Sequence, residues 1–215
     1  MKYWTVEEVK KFFNQIGILI NDSTDVIFKK QALMIKTLVM IGFSLGDRIG
    51  ETRALKFSSI NVEKQSIIIF HSINYNKKEK NFLSNTKTYH SQREILITPK
   101  LIKQINEYRT FLENEMHYTV DDDSLIFFNY STYAPYSDTF LRKQFHRFCD
   151  LCKVTKIRLY DLRHTYVATM MYEGKELYQI SNRIGHSNYS TTVNKYGHLS
   201  TEIKKEIANS TDKYI

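Results

Sequence analysis

Residues 158–199 read RLYDLRHTYVATMMYEGKELYQISNRIGHSNYSTTVNKYGHL, and the interpretation of the rest of the chain turns on them. Arg163, His164, His186, Tyr196 and His198 fall within this stretch, in a chain of formal net charge +8. Apolar spacing predicts helices over 160–172 and 177–184, so these side chains are carried on or beside helices. Cationic donors beside a phenol supply what attack on a phosphodiester requires without a metal. The donors stabilise extra negative charge on phosphorus, and the tyrosine oxygen displaces the leaving oxygen.

Outside this stretch, 215 residues suffice for one domain, or one and a small appendage, with a real core. Only 7 Gly and 2 Pro argue against long disordered linkers and for regular, mostly helical elements. The 31 Lys and Arg against 23 Asp and Glu point to a polyanionic partner, nucleic acid first and a membrane surface second. Charge alone fits a merely basic protein equally well. Cys149 and Cys152 have a C-x-x-C spacing, but a zinc site needs a second ligand pair and a redox motif a βαβ setting. Neither is visible. With Phe145 and Phe148 they fall at helical spacing, which makes them buried small hydrophobes and fits a reduced, cytoplasmic setting. No apolar signal-peptide core opens the chain, and no run is long enough to span a bilayer.

Along the chain, Thr5 with Glu8 forms a capping-box pattern opening a helix over 6–16. A helix over 26–43 is apolar nearly all round and reads as a core helix. A short helix is expected from Ile49, and a strand over 66–70. Residues 74–81 are polar and turn-like. Residues 82–98 read as two strands about a turn near 89–92, giving one antiparallel sheet of about three strands. Pro99 suits the first turn of a helix reaching about Met116. A helix over 137–152 follows, and Ile203 with Ile207 marks a short helix after Tyr196. The expected class is mainly α with a small antiparallel sheet.

Arg48, in G-D-R-I-G-E, sits where the long helix gives way to the short one, and a guanidinium there can present its fork to two phosphate oxygens. Standing alone it would read as a surface arginine capped by Asp47 or Glu51. Lys87 lies in the strand pair and can reach a groove edge to protonate a leaving oxygen, though an edge-strand lysine is usually just solvated. Tyr160 shares a helix face with Arg163 and His164, at spacings of three and four residues. His164 fits internal packing or hydrogen bonding as well. His186 follows Gly185, which permits close backbone approach, and its imidazole can donate to a phosphate oxygen. Among 15 tyrosines, Tyr196 is singled out by its place between G-H-S and G-H.

Four pieces carry a resemblance: G-D-R-I-G-E-T-R-A-L, T-K-T-x3-Q-R-E-I-x-I, Y-D-L-R-H-T and G-H-S-x3-T-T-x3-Y-G-H. Taken in this order they resemble the catalytic domain of tyrosine recombinases, a DNA breaking-rejoining fold, over nearly the whole chain. The ten-residue step from His186 to Tyr196 is most similar to integrases of phages and mobile elements of Gram-positive bacteria. The resemblance implies that Arg48 and Arg163 clamp the scissile phosphate and that Lys87 is the general acid on the 5′-hydroxyl. His186 would hold a non-bridging oxygen, and Tyr196 would be the nucleophile forming a 3′-phosphotyrosine. Glu51 matches the acidic residue that supports the first arginine. No metal, ATP or other cofactor is implied, because two guanidiniums neutralise the charge. The implied partner is double-stranded DNA, bound by a homotetramer with exchange of the tail after Tyr196 or with that tail capping its own body.

Two positions depart from the pattern. The family usually has histidine three residues before the second arginine, where this chain has Tyr160, a poor base at neutral pH. That leaves open which group deprotonates Tyr196. The resemblance also leads to the expectation that the chain is the catalytic domain alone over 1–215, without the core-binding and arm-binding domains that usually precede it. Two other readings compete: a type IB topoisomerase with the same chemistry, and a non-catalytic DNA-binding domain of this fold.

Overall fold

The computed structural model describes residues 2–76, 80–85, 92–132, 134–185 and 189–196, with backbone alone at 75, 76, 80–83, 85, 191 and 195. Helix α1 (Val6–Asp22) starts as expected: Thr5 Oγ1 accepts from the Glu8 N–H at 3.2 Å, and Glu8 Oε2 accepts from the Thr5 N–H at 3.1 Å. It buries Val9, Phe12 and Ile16. Helix α2 (Val26–Leu45), capped by Asp25, buries residues on nearly every side. It packs against α1, α4 (Pro99–Asn114), α5 (Asp138–Leu151) and α6 (Asp161–Tyr172), which makes it the axle of the body. Trp4 ties the N-terminal segment to this core. Its indole N–H donates to the Thr155 carbonyl at 2.6 Å, and its ring packs on Phe12 and Phe145. Cys149 and Cys152 are free and buried among these aromatics, as their spacing predicts.

The strands depart from expectation in their pairing. Strands β1 (Ile60–Asn61), β2 (Ser66–Ile69) and β5 (Arg93–Leu96) form one antiparallel sheet in that order, with Ile67 opposite Ile95. The segment read as turn-like instead supplies the end of one strand and the start of the next in a separate ribbon, β3 (His71–Asn76) against β4 (Lys80–Asn85). So β4 pairs backwards with β3, not forwards with β5 across a turn at 89–92. Polar residues hide this from composition: the Asn74 amide donates to the Ser84 hydroxyl at 2.6 Å, a cross-strand contact with no apolar signature. A third short pair joins β6 (Phe128–Asn129) and β7 (Ala134–Pro135). The turn near 89–92 lies largely outside the described residues.

Helix α3 (Ile49–Arg53) begins at the expected place, and α7 (Leu177–Ile184) matches its predicted span. Helix α8 (Tyr189–Tyr196) was not anticipated; it carries Tyr196 as its last residue. The expected helix around Ile203 and Ile207 lies outside the described residues. Helices α6, α7 and α8 share a small core of their own, made of Tyr166, Val167, Ala168, Met171, Ile180, Ile184 and Tyr196. Among the described residues, no helix is long and apolar enough to cross a membrane.

Candidate active site

Helix α2 must stop abruptly to deliver Arg48. Gly46 adopts a left-handed conformation (φ 61°) and closes the helix through its N–H to the Gly42 carbonyl. A side chain there would be strained and would collide with the Tyr166 ring and Ile184, so glycine is required twice over. Two residues on, Arg48 precedes α3. Glu51, in the first turn of that helix, accepts from the Arg48 backbone N–H at 3.2 Å and from Arg48 Nη1 at 2.8 Å. Burial would push the Glu51 carboxyl up, but Arg93 and Arg48 outweigh it and hold it below the usual range. Arg48 keeps its side chain 40% exposed and its Nη2 donates to the Gly185 carbonyl at 3.3 Å.

Arg163 reaches the same place from α6. It is buried, and its Nη1 donates to the Gly46 carbonyl at 2.9 Å and the Ile184 carbonyl at 2.8 Å. The two guanidiniums therefore grip consecutive carbonyls at the end of α7. Arg163 Nε and Nη2 are buried without a hydrogen-bond partner among the described residues. A buried, unused pair of cationic donors is costly unless an anion takes it up. Burial first, then the nearby Arg48 charge, lowers the Arg163 pKa to about 10, which still leaves it charged at neutral pH.

Tyr196 closes the site from α8. Its ring is buried, and His164 Nδ1 lies 2.5 Å from its hydroxyl oxygen. Burial pushes the phenol well above its ordinary pKa, against the pull of Arg163. His164 Nε2 in turn lies 3.8 Å from Asp161 Oδ1. Asp161 is fixed by Arg158, which donates from Nε, Nη2 and its backbone N–H at 2.7–3.2 Å. Tyr160 caps α6 without a side-chain cap bond, and its ring meets His164 edge-on at 5.0 Å.

Of the residues singled out from sequence, Arg48, Glu51, Tyr160, Arg163 and Tyr196 come together here. Lys87, His186 and His198 lie outside the described residues. Two participants were given no role by the sequence reading. Arg93, on β5, donates from Nη2 to Glu51 at 2.9 Å and from Nε to the Arg183 carbonyl at 3.0 Å. Gly185, left-handed at φ 71°, makes room for it, since a Cβ there would sit 2.8 Å from Arg93 Nη1. Asp161 is the other, and it stands in the quoted Y-D-L-R-H-T beside His164, whose expected internal hydrogen bond is the one to Tyr196. Among the described residues, no group of three or more His, Cys, Asp or Glu is placed to hold a metal ion.

The profile of the Phage integrase family matches residues 5–202. The ICEBs1 integrase of Bacillus subtilis strain 168 is 32% identical over 99% of this chain, which covers 54% of that relative. Two solved structures share the fold. The Tn1549 transposon integrase in complex with circular intermediate DNA superposes with a TM-score of 0.70, at 18% identity, over 90% of this chain and 61% of that one. The XerH site-specific recombinase bound to palindromic difH substrate, in a post-cleavage complex, gives 0.68 at 19% identity, over 96% of this chain and 52% of that one. The chain thus spans little more than half the length of these relatives.

Proposed function

We propose that this chain, which belongs to the phage integrase family, is the strand-cleaving unit of a site-specific DNA recombinase of a phage or other mobile element. One observation carries the reading. Arg48 and Arg163, 115 positions apart in sequence, reach the adjacent carbonyls of Gly185 and Ile184, beside a phenol held at the end of α8. The relatives support the same direction: an integrase by name, and two DNA-bound recombinases of the same fold.

In this reading Arg48 and the free edge of Arg163 bind the non-bridging oxygens of the scissile phosphate, and His186 adds a third donor. The Tyr196 oxygen attacks phosphorus, the bond to the 5′-oxygen breaks, and Lys87 protonates that oxygen as it leaves. The enzyme is left linked to a 3′-phosphate, and a 5′-hydroxyl from another strand reverses the step without ATP. Glu51 holds Arg48 in line, and Tyr160 packs against the neighbouring imidazole. The chain is then the catalytic domain, over 1–215, with core-binding and arm-binding domains lying outside it. It works on double-stranded DNA in the cytoplasm of a bacterial host, as a homotetramer whose tails after Tyr196 exchange between protomers.

A nicked suicide duplex tests the reading directly. The site that the wild-type protein selects from a randomised DNA pool is built into it, and covalent protein–DNA is resolved on a denaturing gel. Wild type should form the adduct, and Tyr196→Phe should not, although phenylalanine keeps the packing. An adduct that persists in Tyr196→Phe, or none with wild type, refutes the assignment. Relaxation of plasmid without any selected site would mark a topoisomerase instead.

A further inference from the structure

If Tyr196 is the nucleophile, its proton must go somewhere, and the position where the resemblance leads one to expect histidine holds Tyr160. With Tyr196 buried, bulk water is excluded from the phenol. Tyr160 is itself a phenol and at neutral pH has no basic site to offer. We propose that His164 is the general base that takes the proton from Tyr196, and that Asp161 is the positioning residue that orients the imidazole. The inference rests on the recombinase reading above.

The geometry has three parts. His164 Nδ1 is 2.5 Å from the Tyr196 hydroxyl oxygen, within reach of direct proton transfer. Asp161 Oδ1 stands 3.8 Å from Nε2 on the far side of the ring, and Arg158 fixes that carboxylate. In the tautomer with its hydrogen on Nε2, the nitrogen that faces the Asp161 carboxylate, the Nδ1 lone pair accepts from the phenol. The third part is the helix. His164 follows Arg163 on α6, so the base and a phosphate donor move as one body.

The Tyr196 oxygen bonds to phosphorus as its proton passes to Nδ1, while the bond from phosphorus to the 5′-oxygen breaks and that oxygen takes a proton from the general acid. The resulting imidazolium faces the Asp161 carboxylate, an ion pair that exists only after the transfer. On rejoining, a 5′-hydroxyl attacks and gives its proton back to the deprotonated general acid, the phosphorus–tyrosine bond breaks, and Nδ1 returns the other proton to the phenolate. Among the described residues, the groups facing this imidazole include Asp161 and Tyr160 from α6 and Tyr196 from α8. Arg163, next to it in sequence, is under the influence of Arg48 and Glu51 from the α3 region.

The test uses the suicide duplex in two forms, one with the natural phosphate and one with sulfur as the 5′-bridging atom, which leaves without protonation. His164→Gln keeps a hydrogen-bonding group near the phenol but cannot accept a proton. It should cleave roughly 10²- to 10³-fold more slowly on both substrates. Its rate should climb with pH into the phenol's own range, whereas wild type levels off once the imidazole is neutral. Added imidazole should restore part of the rate to His164→Ala, and Asp161→Asn should show an intermediate loss with a shifted profile. Several results overturn the proposal: wild-type rate and profile in His164→Gln, faster cleavage in that variant, or rescue by the sulfur substrate. Faster cleavage would make the contact a brake, and rescue would put His164 on the acid side. Should His164→Gln fail to fold, a wild-type profile with no ascending limb between about pH 5.5 and 7.5 overturns it too. Wild type that forms no adduct defeats the recombinase reading itself, whereas an active wild type with an unimpaired variant defeats only the base.

Discussion

The interior built by α1, α2, α4 and α5 and the interior around α3 and the start of α6 are filled with opposite kinds of residue. The first packs Phe12, Leu38, Phe145 and Phe148, and one of its buried polar contacts is neutral, the Gln104 amide donating to the Thr37 hydroxyl at 3.2 Å. The second holds Asp47, Glu51, Arg53, Asp161, Arg163 and His164, all buried and confined to residues 47–53 and 161–164. Burying hydrocarbon stabilises a fold, while burying ions at best breaks even against apolar replacements. Among the described residues, buried charge concentrated in two short segments is more than stability calls for, and it fits the phosphate site proposed above, where Arg163 Nε and Nη2 have no partner among those residues.

The largest effect should come from the apolar side. Phe145→Ala, which strips a ring packed on Trp4, is expected to cost about 3–5 kcal/mol in denaturant unfolding. The folded fraction should still cleave at the wild-type rate per molecule. A cleavage defect beyond the loss of folded protein would break the division between the two interiors.

The charged side should reveal itself through pH. Burial first, then the Glu51 carboxylate, raises the Asp47 pKa to about 7, against help from Thr52, Arg93 and Arg163. The folded protein thus keeps this proton up to about pH 7, while the unfolded chain releases it near its ordinary 3.8. The stabilisation is complete below the unfolded value and is lost as pH rises through the folded one. Glu51 and Asp161 are shifted the other way, so their contributions are lost only as pH falls below the ordinary carboxylate range. Between pH 5 and 8 stability should consequently fall by about 2 kcal/mol on account of Asp47. Asp47→Asn should flatten that slope, as followed by urea unfolding at each pH. An unchanged slope would mean that Asp47 is ionised throughout.

How far the sequence reveals these two interiors follows from the same contrast. The apolar one is legible because it is periodic: the stripes of α1 and α5 and the all-round burial of α2 can be read from spacing alone. Arg48, Arg163 and Tyr196 were legible for another reason, their place in an ordered set of motifs. Arg93 was not, although it stood inside one of the quoted pieces. Its partners are Glu51 and a carbonyl of α7, and nothing local in Q-R-E-I predicts a buried guanidinium. The β3–β4 ribbon was missed because polar strands leave register to tertiary pairing, and α8 because S-T-T-V-N-K lacks an apolar period. The contact between His164 and Tyr196 joins residues 32 apart and depends on α8 existing at all.

The smallest effect compares one helix start with another. At α1, Thr5 and Glu8 satisfy each other's backbone N–H groups at the surface; at α3, Glu51 accepts the Arg48 N–H while also holding the Arg48 and Arg93 guanidiniums. Thr5→Ala removes one exposed cap acceptor that water can partly replace, so it should cost about 1 kcal/mol. In a chain of this size that lowers Tm by about 2–4 °C in a calorimetric scan. Adduct formation should be untouched. Glu51→Gln keeps the backbone acceptor but removes the charge between two guanidiniums, so its adduct yield should drop at temperatures where the protein is still folded. The sharper the separation between those two variants, the more firmly the caps belong to different economies, one of folding and one of chemistry. A Thr5→Ala protein that lost adduct in proportion to Glu51→Gln would show instead that α1 and α3 answer to a single cooperative unit.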